Sequence, residues 1–154
     1  MQKFILKSIE IEDLAQLIYQ EFYKNKRCSE ELLHIWQQMA QDEGDHAQGL
    51  RLALRLHNTE TFLGIRTDCP NPEELKGQLE EMLEKAKTAG FSEYEMLRNA
   101  VTLENRFRKF HATYALVFKD PGLFKTFNAL ARADAEHLEG LNSYITKYKA
   151  SHSS

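Results

Sequence analysis

The stretch QMAQDEGDHAQGL, Gln38 to Leu50, puts a carboxylate and an imidazole where a helix should bury hydrocarbon. Leu32, Trp36, Met39, Leu50 and Leu54 recur at steps of three and four only if Glu43, His46 and Ala47 share their face. A buried carboxylate without a partner is expensive. A chain with such a stripe therefore needs a fold in which other polar groups converge on it.

The same interruption recurs along the chain. The segment from about Ser8 to Asn25 carries Ile9, Glu12, Ala15, Tyr19 and Phe22 on one stripe. Ser29 is an N-cap for the next segment, with Glu30 and Glu31 in its first turn, and that helix runs to about His57. A connection of about fourteen residues follows, long enough to traverse a bundle at roughly 3.3 Å per residue. Asn71-Pro72 then reads as cap and first helical residue of a short amphipathic helix that ends near Ala89-Gly90. Ser92 caps a long helix with the stripe Leu97, Ala100, Val101, Glu104, Phe107, His111, Tyr114 and Phe118. Asp120-Pro121 opens the last helix, whose stripe is Leu123, Phe127, Leu130, Asp134, His137, Leu141 and Tyr144, and the tail from about 150 to 154 is expected to fray. No segment alternates with period two. The expectation is a single all-α domain over residues 1–154: two antiparallel helix hairpins joined by a long crossover, with one extra short helix.

The ionisable residues on these stripes repeat. Glu12 and Glu104 are 92 residues apart, Glu43 and Asp134 are 91 apart, and His46 and His137 are 91 apart. One hairpin has been used twice. Four carboxylates and two imidazoles that converge on one core neutralise each other poorly, and metal ions satisfy them together. The duplicated spacing predicts a two-metal centre on a pseudo-twofold axis, with one lone Glu and one His per metal and Glu43 and Asp134 between them. A single Glu-x-x-His would be weak evidence. Six such residues on four stripes at duplicated spacing are strong evidence.

This pattern of lone Glu, DEGDH, lone Glu and ADAEH resembles the ferritin-like diiron proteins, and most of all their rubrerythrin branch, from about Ile9 to Tyr148. Tyr19 matches a tyrosine common in that branch. The resemblance implies a ferritin-like four-helix bundle and two iron ions held by Glu12, Glu43, His46, Glu104, Asp134 and His137. It implies reaction of the ferrous pair with hydrogen peroxide or dioxygen, and a homodimer. Three departures stand out. Asp134 replaces the family's usual Glu, which shortens one bridging arm and either draws the pair closer or loosens one iron. His111 stands where the second half would repeat Tyr19, too far from Glu104 along its helix to ligate and suited to a hydrogen bond with a ligand carboxylate. Phe107 occupies the position at which peroxidase-type rubrerythrins carry a further Glu. The rubredoxin-like tail is missing as well, so electrons are expected from an external donor, a rubredoxin-like protein or another reductase.

The rest of the chain points to other functions less well. Net charge is −3, without the basic balance of a nucleic-acid binder. The apolar runs are too short to span a membrane, and MQKFILKSIEIED lacks a signal-peptide body, so a cytoplasmic protein is expected. Cys28 and Cys69 are too far apart in sequence for a Cys-x-x-Cys site and read as two free thiols. Trp36 and the phenylalanines read as packing, Arg106, Arg108 and Lys109 as a solvated face, and His34 as exposed. The expected function is that of a non-haem diiron peroxidase or oxidase. The rival is a non-catalytic metal-binding or iron-handling protein with a single or different metal, zinc, manganese or a mixed pair. A purely structural helical protein is the third reading.

Overall fold

The computed structural model describes residues 2–25, 27–56, 70–88 and 90–153. Five helices account for nearly all of them: α1 (Gln2–Tyr23), α2 (Glu30–Leu56), α3 (Pro72–Thr88), α4 (Glu93–Ala115) and α5 (Pro121–His152). No strand occurs among the described residues. The connection between α2 and α3 falls largely on residues 57–69, and with it His57 and Cys69, outside the described residues.

The helix starts follow capping chemistry. The Ser29 hydroxyl accepts from Leu32 N, the Asn71 side chain from Glu73 N, and the Asp120 carboxylate from Gly122 N and Leu123 N. Ser92 and Glu95 form a reciprocal capping box. Pro72 and Pro121 open their helices, where their missing N–H costs nothing. Three boundaries differ from expectation. Helix α4 ends at Ala115, short of the stripe residue Phe118, where the Leu116 N–H donates back to Thr113 O. Helix α1 begins six residues before Ser8, because Ile5 and Ile9 continue the buried stripe and the Ser8 hydroxyl bonds back to Phe4 O at 3.1 Å. Helix α5 continues through 149–152, where His152 stacks on Tyr148 with ring centroids 3.9 Å apart and the Ser151 hydroxyl donates to Tyr148 O.

Helices α1 and α2 run antiparallel: Asp13 pairs with Arg51, and Tyr23 lines the same hollow as Gln37. Helices α4 and α5 do likewise, with Phe118 against Phe127 at one end and Tyr94 against Tyr148 at the other. Helix α3 packs on α1, and α2 on α5. Two aromatic clusters fill the ends of the core. Phe4, Phe110, Tyr114, Phe118 and Phe127 form one, and Tyr19, Phe22, Trp36 and Phe91 the other. Each fully buried aromatic side chain contributes on the order of 1.5–3 kcal/mol, so these clusters anchor the ends. The ionisable stripe residues lie between them.

Candidate metal centre

Apart from Ser8, the buried polar or charged residues among those described are Glu12, Glu43, Glu104, His111 and Asp134. All five come from the interrupted stripes. His46 and His137 border them at 15% and 10% side-chain exposure. The helices therefore bring all six residues of the duplicated pattern to one place, with His111 added.

The donors fall into two groups, in each of which one ligand atom per residue lies within 4.8 Å of the others. One group is Glu12, Glu43 and His46; the other is Glu43, Glu104, Asp134 and His137. Glu43 belongs to both. Asp134 belongs to one, whereas the repeat in the sequence led to the expectation of two shared carboxylates. Its side chain is a methylene shorter than Glu43's, and His111 Nδ1 holds its Oδ2 at 2.6 Å.

His137 turns Nδ1 inward, 3.5 Å from Glu43 Oε1 and 3.4 Å from Glu104 Oε2, while Nε2 bonds Asp42 Oδ2 at 2.9 Å. His46 Nδ1 lies 3.3 Å from Glu43 Oε2 and 3.6 Å from Glu12 Oε2. The Tyr19 hydroxyl donates to Glu104 Oε1 at 2.8 Å. His111 Nε2 sits 2.9 Å from Glu12 Oε1, though not aligned for a hydrogen bond. Phe107 is buried, its ring centroid 6.5 Å from that of His111, and it closes this side of the cluster with hydrocarbon.

Protonation follows from this crowding. Burial, together with the charges of Glu12 and Glu104, pushes the Glu43 carboxyl well above the carboxylate range. Burial raises Asp134 to about 6 against the pull of His111. Burial also disfavours imidazolium, but Asp134 and Glu12 outweigh it and raise His111 to about 10. Glu104 and Asp42 likewise raise His137 to about 9 against burial, and Glu12 raises His46. Burial acts to raise Glu12 too, but the nearness of Glu43 and of the His111 and His46 imidazoles outweighs it and holds the carboxyl well below its ordinary value.

Protons alone leave the cluster poorly satisfied. Both oxygens of Glu12, Glu43 Oε1, Glu104 Oε2, Asp134 Oδ1, His111 Nε2 and His137 Nδ1 are buried without a hydrogen bond. Convergent orphaned carboxylate oxygens fit a cation. Carboxylates and imidazoles without thiolate suit first-row divalent ions. The donor set can thus hold metal.

Asp42 was not visible as a site residue in the sequence. It precedes Glu43 on α2, and the repeat offers no hint of it, because its counterpart is Ala133. Trp36 is packed in the core, and Arg106, Arg108, Lys109 and His34 are exposed. Cys28 is a buried free thiol. No helix among the described residues is long and apolar enough to cross a membrane. Comparison of the chain with protein-family models, curated proteins and solved structures finds no significant match.

Proposed function

We propose that this chain is a rubrerythrin-like, ferritin-like four-helix bundle that holds two iron ions and uses them to reduce hydrogen peroxide or dioxygen. The observation that carries this reading is the pair of donor groups joined through Glu43, with their buried acceptors lacking hydrogen bonds. Bound ferrous ions would supply two electrons, and peroxide with two protons would leave as two waters. The chain's own residues do the rest. Glu12, Glu43, His46, Glu104, Asp134 and His137 hold the ions. Asp42 orients His137, Tyr19 steadies Glu104 and His111 steadies Asp134. Phe107 and the aromatic clusters restrict water. Electrons to restore the ferrous state come from an external donor such as a rubredoxin-like reductase, and the working form is a cytoplasmic homodimer.

The test is an anaerobic Fe(II) titration followed by separate additions of peroxide and dioxygen. Two irons per chain and a near-ultraviolet band on oxidation are expected. Uptake of iron without reaction toward either oxidant would overturn the catalytic reading. One observation favours the second reading, a non-catalytic metal or iron-handling protein: Asp134 joins only one donor group. A firm stoichiometry of one metal would support it.

A further inference from the structure

The repeat that builds the centre is broken at three points, and all three weaken the same half. The group around His137 has four donors and the group around His46 has three. His137 is oriented by Asp42, whereas the residue equivalent to Asp42 in the other half is Ala133, which has no carboxylate to offer His46. The third point is His111. Its Nδ1 engages Asp134 Oδ2 at 2.6 Å, and its Nε2 lies 2.9 Å from Glu12 Oε1. The equivalent residue in the first half, Tyr19, has one hydroxyl, which donates to Glu104.

An ion in the His137 group finds four donors already gathered and its imidazole already aimed. An ion in the His46 group needs Glu12, which is in contact with His111, and lacks a second shared carboxylate because His111 holds Asp134 away. We propose that the two half-sites are unequal: a first-row divalent ion fills the Glu43–Glu104–Asp134–His137 site first, the Glu12–Glu43–His46 site fills second and more weakly, and His111 is the positioning residue that sets the gap. This rests on the metal-centre reading above.

Repulsion between two neighbouring ions would separate two binding steps even in a symmetric centre. Variants of each half remove that ambiguity. The metal-free full-length chain is titrated anaerobically with Co(II), followed by calorimetry and by the visible d–d bands, with circular dichroism to confirm that each variant is folded. The wild type is expected to show two steps at least about tenfold apart, the scale on which ligand-orienting groups act. His46→Ala should keep the first step and its spectrum and lose the second. His137→Ala should lose the first. Asp42→Asn should weaken the first step by roughly tenfold or more and spare the second. His111→Tyr, which copies the other half, should narrow the gap and change the second-step spectrum. Equal loss of the first step in His46→Ala and His137→Ala would overturn the inequality and leave the metal centre standing. An unchanged gap in a folded His111→Tyr would overturn the role of His111. Failure of the wild type to bind cobalt would remove the metal centre and this inference together.

Discussion

The Tyr19 hydroxyl of α1 donates to Glu104 of α4 across 2.8 Å, and 92 residues later His111 of α4 comes within 2.9 Å of Glu12 of α1. The same crossing is made twice, in opposite directions, so each half of the repeat supports the lone glutamate of the other. The crossings tie the α1–α2 pair to the α4–α5 pair through the centre itself. The polar site is therefore part of what holds the two halves together.

Tyr19→Phe tests the first crossing. It deletes the donor to Glu104 Oε1 and leaves the ring stacked on Trp36. A hydrogen bond to a buried charged group is worth about 1.5–3 kcal/mol, and metal-free stability should fall by that order. Urea unfolding followed by the fluorescence of the single tryptophan measures it. A loss under about 0.5 kcal/mol would mean that Glu104 finds another donor, contrary to its burial.

The metal-free protein should lose stability as pH rises from neutral to about 10. His111 is raised to about 10 and His137 to about 9, both from 6.5. A group raised on folding stabilises fully below its unfolded value, and that contribution disappears as pH climbs through the folded value. Melting temperature measured without metal should therefore decline across pH 6.5 to 10. Metal affinity should move in the opposite direction, because an ion bound by His137 displaces its proton. Loading at pH 7 should release protons, detectable as a buffer-dependent calorimetric enthalpy. A melting temperature that climbs across this window would contradict the protonated cluster.

Metal removal should lower stability and leave the helices intact. An ion that binds only the folded chain, at a hundred times its dissociation constant, adds about 2.7 kcal/mol. The aromatic clusters at the two ends of the core do not depend on it. Chelation should thus reduce the melting temperature by several degrees, roughly 2–4 °C per kcal/mol for a chain of this size, with little change in far-ultraviolet dichroism. Collapse of the helical signal would show that the site is needed for folding.

Much of this centre was legible because helical periodicity is a strong signal. Glu12, Glu43, Glu104 and Asp134 announce themselves by standing where leucine would be expected, and the offsets of 91 and 92 residues pair them. The capping signals at Ser29, Asn71, Ser92 and Asp120 are local, and they hold in the structure. Asp42 was illegible for the opposite reason. It lies off the stripe, and its partner His137 is 95 residues away on another helix. The early start of α1 was hidden by Lys3 and Lys7, which dilute an apolar pattern whose period only Ile5, Ser8 and Ile9 complete in three dimensions. Two contacts by one imidazole, at His111, are a matter of geometry that no spacing rule supplies.

Asp134→Glu should act with opposite sign on the metal-free and metal-loaded protein. Asp134 is fully buried and its Oδ2 is 2.6 Å from His111 Nδ1, so the space around it is cut for the shorter side chain. An added methylene must displace His111 or strain its own rotamer. Overpacking of this kind costs about 1–3 kcal/mol, which urea unfolding of the metal-free variant should register. The same methylene extends the reach of the carboxylate by about 1.5 Å, the length of one carbon–carbon bond. That extra reach would let the side chain join both donor groups, as Glu43 does. The second metal step should tighten and approach the first. Unchanged metal-free stability would point to slack beside Asp134 that the 2.6 Å contact does not leave. If the second step fails to tighten in a folded variant, the missing methylene is not what keeps Asp134 out of the His46 half, and its contact with His111 carries that role alone.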